Sequence, residues 1–225
     1  MNKIASYFDS AILKPHYTPE DVAKEIQTSI EGGSYSVCVR PCDLPLAVKM
    51  CEGTQTKVSV VLGFPHGAQT TAVKVFEAKD SMQYHPVDVD MVNNIGWLRA
   101  GMWKEYEDEI RAVAEVVHAG GAKLKVIFET SQLTVEEIAE ATRACVRAGA
   151  DFVKTSTGFT GSGASEEAVQ AMLNAAEGKI AVKASGGIRD IERAEMFVKM
   201  GCERLGVGST SVPVIVAGEK AESDY

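Results

Sequence analysis

Two lysines stand where an amine can do covalent chemistry. The run Gly149-Ala150-Asp151-Phe152-Val153-Lys154-Thr155-Ser156-Thr157-Gly158 ends an apolar segment on an amine, and Ile180-Ala181-Val182-Lys183-Ala184-Ser185-Gly186-Gly187 repeats the arrangement one unit later. If each segment is a strand, period-two alternation puts Phe152 with Lys154, and Ala181 with Lys183, on one face. Two ammonium groups brought together on an inward face repel, and repulsion with burial lowers an amine pKa. A fraction of the amine is then neutral at physiological pH, which a Schiff-base nucleophile requires. Singly, each lysine fits a solvated surface position better, since that is where most lysines are found. Their recurrence at equivalent points, each followed by small or hydroxylated residues, favours a site.

Carboxylates and glycines extend the chemistry. In Val87-Asp88-Val89-Asp90-Met91-Val92 the aspartates share one strand face, and an acid buried near a lysine is held as the anion and can move protons. Asp90, nearer the strand end, is the candidate, and Asp88 reads as structural. Asp9, in Tyr7-Phe8-Asp9-Ser10, is a further acid on a first strand, with capping or exposure as its alternative. Ser185-Gly186-Gly187-Ile188-Arg189-Asp190 and Gly206-Val207-Gly208-Ser209-Thr210-Ser211 each end a strand and open a helix. Glycines let backbone N–H groups approach an anion, and a helix N-terminus adds partial positive charge. Thr157-Gly158 closes such a pocket from the preceding unit. Gly-Gly and Gly-x-Gly are also ordinary turn chemistry, so the signal lies in their coincidence.

The elements that must position these residues are legible. Strand-like runs lie near Ala5–Leu13, Ser36–Val39, Val58–Leu62, Val87–Val92, Lys123–Phe128, Asp151–Thr155, Ile180–Ala184 and Arg204–Val207. Amphipathic segments separate them, opened by Thr18-Pro19-Glu20-Asp21, Thr134-Val135-Glu136-Glu137 and Ser165-Glu166-Glu167 and closed by Gly32-Gly33, Gly120-Gly121, Gly149 and Gly201. Alternation of strand and helix predicts a parallel sheet, and eight units predict closure into a single (β/α)8 TIM barrel spanning 1–225. An open doubly wound sheet fits less well, because the Gly-x-Gly-x-x-Gly turn after the first strand is absent. In a barrel the chemistry belongs at the C-terminal strand ends, where Lys154 and Lys183 fall. Residues 218–225 read as a flexible, solvated tail.

Composition narrows the partners. With 23 Lys plus Arg against 31 Asp plus Glu the net charge is −8, and no cationic cluster offers a face for nucleic acid or an anionic membrane. Hydrophobic residues at 45% and charged residues at 24% are ordinary for a globular domain and exclude a disordered chain. No apolar run approaches a membrane span, and the start MNKIASYFDS lacks a secretory core, so a cytoplasmic protein is expected. Five cysteines, Cys38, Cys42, Cys51, Cys145 and Cys202, form no zinc or disulfide pattern, so neither a zinc site nor a disulfide framework is expected.

Together these runs resemble the deoxyribose-phosphate aldolases, class I aldolases of the (β/α)8 fold, over almost the whole chain. Ala148-Gly149-Ala150-Asp151-Phe152-Val153-Lys154-Thr155-Ser156-Thr157-Gly158 is similar to the family's Schiff-base strand, and Val182-Lys183-Ala184-Ser185-Gly186-Gly187-Ile188-Arg189 to that of its second lysine. Gly63-Phe64-Pro65-His66-Gly67 and Leu124-Lys125-Val126-Ile127-Phe128-Glu129-Thr130 also match. The resemblance implies Lys154 as nucleophile, Lys183 as the lysine that perturbs it, and Asp90 as catalytic aspartate. It makes Asp9 the first-strand aspartate and Lys125 an organiser of the network. Gly158, Gly186, Gly187, Gly208, Ser209 and Arg189 match phosphate-holding positions. The implied substrate is 2-deoxy-D-ribose 5-phosphate, cleaved reversibly to acetaldehyde and D-glyceraldehyde 3-phosphate, and the implied assembly is a homodimer or higher oligomer. Some members end in a tyrosine that folds over the site and assists proton transfer at C2, which makes Tyr225 a candidate.

The chain departs from that pattern in places. Ala11 stands where the family usually has a threonine, Phe159 where some members have a phosphate-side lysine, and Asn93 where an apolar residue is usual. His85-Pro86-Val87 replaces a common Gly-Ala lead, and Gly208 a serine pattern. These leave a different sugar phosphate open as substrate. A non-imine isomerase or synthase using Asp90 and His66 is the competing reading, and a non-catalytic binder is a third. Cys38, in Val37-Cys38-Val39-Arg40-Pro41, falls where some members carry a cysteine sensitive to aldehydes and otherwise reads as a buried strand residue.

Overall fold

The alternation expected from the sequence is realised as β1 (Phe8–Ile12), α1 (Pro19–Glu31), β2 (Ser36–Val39), α2 (Leu44–Cys51), β3 (Lys57–Leu62), α3 (Thr71–Met82), β4 (Asp88–Val92), α4 (Ile95–Arg99), α5 (Trp103–Ala119), β5 (Lys123–Ile127), α6 (Val135–Ala148), β6 (Phe152–Lys154), α7 (Glu166–Ala176), β7 (Ala181–Ser185), α8 (Ile191–Met200), β8 (Arg204–Gly208) and α9 (Val212–Val216). The structure is a computed structural model, and it describes residues 3–220. Tyr225 lies outside the described residues, as do the last five positions of the 218–225 tail. The strands run in parallel and in chain order, and β8 pairs with β1 to close the barrel. Among the described residues no helix is long and apolar enough to cross a membrane.

The start and stop signals act as their chemistry dictates. Thr18 with Asp21, and Thr134 with Glu137, form capping boxes that satisfy otherwise orphaned amides, and the Ser165 hydroxyl accepts from Ala168 N–H. Gly149 and Gly201 take left-handed backbone (φ 85° and 118°) at the ends of α6 and α8, where a Cβ would be strained. One boundary differs from expectation. Residues Lys3–Tyr7 form a 3-10 helix, and β1 begins only at Phe8. Ile4 and Ala5 are buried as helix residues, and a short apolar run does not distinguish a strand from such a turn.

Strand alternation divides the molecule into two chemically different interiors. Phe8, Val37, Val60, Met91, Val126, Val153, Val182 and Leu205 point outward into the layer shared with the helices, and all belong to one large apolar cluster. Burying each such side chain contributes roughly 1.5–3 kcal/mol, so the annulus carries the stability of the fold. The inward face is polar instead. Asp9, Ser36, Ser59, Asp88, Asp90, Lys125, Lys154 and Lys183 are all buried there.

Candidate active site

Register brings the inward side chains together. Asp90 on β4 is level with Lys125 on β5, and Ile127 on β5 is level with Lys154 on β6. Lys154 is in turn level with Lys183 on β7. Both terminal amines reach one oxygen: Lys154 Nζ donates to Asp90 Oδ2 at 2.9 Å and Lys183 Nζ donates to the same atom at 2.7 Å. Lys183 also donates to Asp9 Oδ2. Lys125 Nζ lies 2.7 Å from Asp88 Oδ2, 3.1 Å from Asp90 Oδ1 and 3.4 Å from Asp9 Oδ2. A serine ladder extends the network, with the Ser36 hydroxyl donating to Asp9 Oδ1 at 2.8 Å and lying 3.1 Å from Ser59 Oγ. Gly206 makes room for it, since a Cβ there would sit 2.2 Å from Ser185 Oγ and 3.4 Å from Lys183 Cε.

Burial and charge set each group apart. Burial pushes the Lys154 amine below the ordinary lysine value, and the Lys183 charge adds to the push while Asp90 opposes it. Lys183 moves the other way: burial would lower it, but Asp9 and Asp90 together raise it. Lys125, ringed by three carboxylates, is also raised despite burial. Burial alone would raise Asp90, yet Lys125, Lys154 and Lys183 hold it well below the usual carboxylate range. Adjacent lysines are thus split, one amine shifted toward its neutral form and two held toward the cation, the arrangement an amine nucleophile needs. Because the three aspartates are neutralised by lysines, they are not set out as ligands for a metal ion.

Past the lysines, a small cleft of about 90 Å³ lies between the β6–α7 and β7–α8 loops, with Gly158, Gly163, Gly186, Gly187 and Arg189 in its lining. Gly158, Gly186 and Gly187 have positive φ (84°, 84° and 74°), and lacking side chains they leave backbone at the wall of the cleft. A backbone-lined concavity suits an anion. An apolar pocket of about 320 Å³ opens at the other side of the mouth, where Leu13, Val61, Phe64 and Phe159 meet. The Phe64 and Phe159 rings pack edge to face at 5.2 Å.

Residues 4–205 match the family model for DeoC/LacD family aldolases. The chain belongs to this family. It is 44% identical over 225 residues to the deoxyribose-phosphate aldolase of Streptococcus mutans, covering 99% of this chain and all of that one. It is 44% identical over 213 residues to the deoxyribose-phosphate aldolase of Thermococcus kodakarensis, covering 93% and 95% of the two chains. Among solved structures, the deoxyribose phosphate aldolase of Aeropyrum pernix, described as having a unique tetrameric structure, superposes with a TM-score of 0.87 at 27% identity. That match covers 95% of this chain and 89% of the other.

Within this aldolase barrel, Lys154, Lys183, Asp90, Asp9 and Lys125 converge as one cluster, and Asp9 is buried rather than capping or solvated. The Thr157 hydroxyl donates to the Glu129 carboxylate and accepts from Phe159 N–H at 3.0 Å. Gly208 and Ser209 are buried at the end of β8. The N-terminus of α8 is occupied too, because the Asp190 side chain accepts from Arg193 N–H, so a carboxylate already meets the helix dipole. His66 is exposed on the loop after β3 whereas Asp90 is fully buried, which removes the basis for their acid–base pairing. Cys38 is buried on β2 against Leu13 and Val61, and burial raises its thiol pKa.

Other members of the network escaped the sequence reading. Ser36 and Ser59 share the inward phase of β2 and β3, a signal that period-two alternation carries. Glu129, Lys74 and Glu109 had none. Lys74 Nζ donates to Glu109 Oε1 at 2.6 Å and to the Val92 carbonyl at 2.9 Å, a fully buried pair that ties α3 and α5 to the end of β4.

Proposed function

We propose that this chain is a class I aldolase that cleaves 2-deoxy-D-ribose 5-phosphate reversibly to acetaldehyde and D-glyceraldehyde 3-phosphate through an imine on Lys154. The observation that carries the reading is the shared Asp90 oxygen beneath two buried lysines of which only Lys154 has its pKa lowered. The neutral Lys154 amine adds to the C1 aldehyde, and the carbinolamine loses water to give the iminium. Asp90, with Lys183, takes the C3 hydroxyl proton through a water. The C2–C3 bonding pair flows into the iminium, glyceraldehyde 3-phosphate leaves, and the remaining enamine is protonated at C2 and hydrolysed.

The charge count favours the intermediate. Asp9, Asp88 and Asp90 face Lys125, Lys154 and Lys183, so the buried cluster is balanced only while Lys154 carries a positive charge. Deprotonating Lys154 leaves one net negative charge, and forming the iminium restores neutrality. The glycine cleft takes the phosphate through backbone amides, with Arg189 at its rim. The same reading makes the chain a homodimer or higher oligomer, in keeping with the tetrameric description of the Aeropyrum pernix relative.

The test is borohydride reduction in the presence of the phosphorylated sugar, followed by peptide mass spectrometry. A reduced adduct is expected on Lys154, with turnover abolished by Lys154→Ala and retained by Lys79→Ala on the exposed face of α3. Full turnover without an adduct would remove the imine mechanism.

A further inference from the structure

The chemistry above leaves one buried carboxylate without a task. Glu129, just past β5, has left-handed backbone (φ 61°, ψ 60°) and a side chain in a residue only 1% exposed. The other non-glycine residues with positive φ, His85 and Glu177, are exposed. Among the described residues the partners of its side chain are both on Thr157: Oε2 accepts from the Thr157 hydroxyl and, at 3.4 Å, from its N–H. Oε1 has no hydrogen-bond partner among the described residues. A left-handed β-carbon and a buried oxygen without a donor both oppose folding. Strain of this kind collects where a site depends on it.

The β6–α7 connection rests on this corner at three points, the first being Thr130 N–H, which donates to the Thr155 carbonyl at 2.9 Å. Thr157 is held by the Glu129 side chain. Further along, Gly161 packs on the 3-10 turn Thr130–Gln132 that Glu129 opens, so closely that a Cβ would lie 1.9 Å from Ser131 Oγ. The loop then meets its other wall: Ala164 N–H donates to the Gly186 carbonyl at 3.1 Å, and a Cβ on Gly163 would lie 2.6 Å from that carbonyl. The glycine cleft is what remains between. Lys154 has backbone anchors in the strand ladder that do not involve the Glu129 side chain, with Phe128 N–H donating to the Lys154 carbonyl at 3.0 Å and Thr155 N–H to the Lys183 carbonyl at 3.1 Å.

We propose that Glu129 is a positioning residue that sets the β6–α7 loop, and with it the fit of the cleft to the phosphate end of the substrate, without acting on the reacting carbons. The inference rests on the reading of the cleft as the phosphate subsite. Releasing Thr157 lets the Gly158 amide drift from the anion while the amine of Lys154 keeps its place. The defect therefore belongs to binding of the phosphorylated sugar.

Glu129→Gly is the informative variant, because glycine accepts the left-handed backbone and keeps the turn while removing the carboxylate. Steady-state cleavage of 2-deoxyribose 5-phosphate and of unphosphorylated 2-deoxyribose is compared for the parent, Glu129→Gly and Glu129→Gln, with thermal melts as the folding control. Glu129→Gly is expected to raise KM for the phosphorylated sugar about tenfold or more, to change kcat less than about threefold, and to leave kcat/KM for the unphosphorylated sugar unchanged. Glu129→Gln is expected to stay within about threefold of the parent, since its amide oxygen accepts the same two bonds. Equal losses on both sugars, or an unchanged KM, would overturn the proposal, and so would a Gln variant as impaired as Gly. If the parent itself forms no reducible Lys154 adduct with the phosphorylated sugar, the aldolase reading falls and takes this inference with it. An adduct in the parent with equal losses on both sugars sinks the inference alone.

Discussion

Replacing Lys183 by leucine tests the two-lysine argument at its root. The ammonium groups of Lys154 and Lys183 approach the same Asp90 oxygen at 2.9 Å and 2.7 Å, so their nitrogens are no more than about 5.6 Å apart. At an effective dielectric constant near 20, two unit charges at about that separation repel by about 3 kcal/mol, or roughly two pKa units. The substitution removes that repulsion and also leaves Asp9 and Asp90 short of a cation, and both changes favour protonated Lys154. The neutral amine exists above its pKa, so the rising limb of the pH–rate profile should move to higher pH by about two units. At any pH on the parent's rising limb the supply of neutral amine then falls about a hundredfold, while raising the pH by about two units recovers it. The assay is kcat/KM for sugar-phosphate cleavage from about pH 6 to about pH 10. The plateau also drops if Lys183 helps to carry the C3 proton, so the position of the limb, not its height, decides. A limb that stays in place would refute the claim that Lys183 depresses Lys154.

Two further outcomes follow from the buried charges. Asp90→Asn removes the proposed proton acceptor but also the anion that favours a proton on Lys154, so turnover should fall by about 10²–10⁴-fold while borohydride still traps an adduct on Lys154; loss of trapping together with turnover would contradict this division of labour. At the buried pair of α3 and α5, Glu109→Leu should destabilise by about 3–5 kcal/mol because Lys74 is left buried and unpaired, whereas Lys74→Met/Glu109→Leu should recover most of the loss in denaturant unfolding. A double variant no more stable than the single would show that the pair supplies stability beyond mutual neutralisation.

The barrel was legible because its signals are local. Apolar alternation, capping boxes and terminal glycines act within a few residues, and they mark each β–α unit without knowledge of its neighbours. The inward lysines were legible for the same reason, since alternation assigns a face once a strand is recognised. What escaped the sequence shares one cause as well. The Thr157 hydroxyl bonds Glu129, a residue that follows a different strand, and Asp190 takes the end of α8 through a bond that glycine spacing does not reveal. The 3-10 helix Lys3–Tyr7 is decided by the apolar layer it closes, not by its own short run.

By itself the sequence determined the order of elements, the closure into eight units and the two lysines at strand ends, because propensity, capping and period-two alternation are properties of neighbouring residues. Only the tertiary structure sets the two amines apart electrostatically. Both are buried strand-end amines, yet Asp9 and Asp90 together raise Lys183, while Lys154 has Asp90 alone and the charge of Lys183 against it. That difference comes from charges brought together across a barrel, from positions as far apart as Asp9 and Lys183. A chain position carries no electrostatic potential until the strands around it are in register.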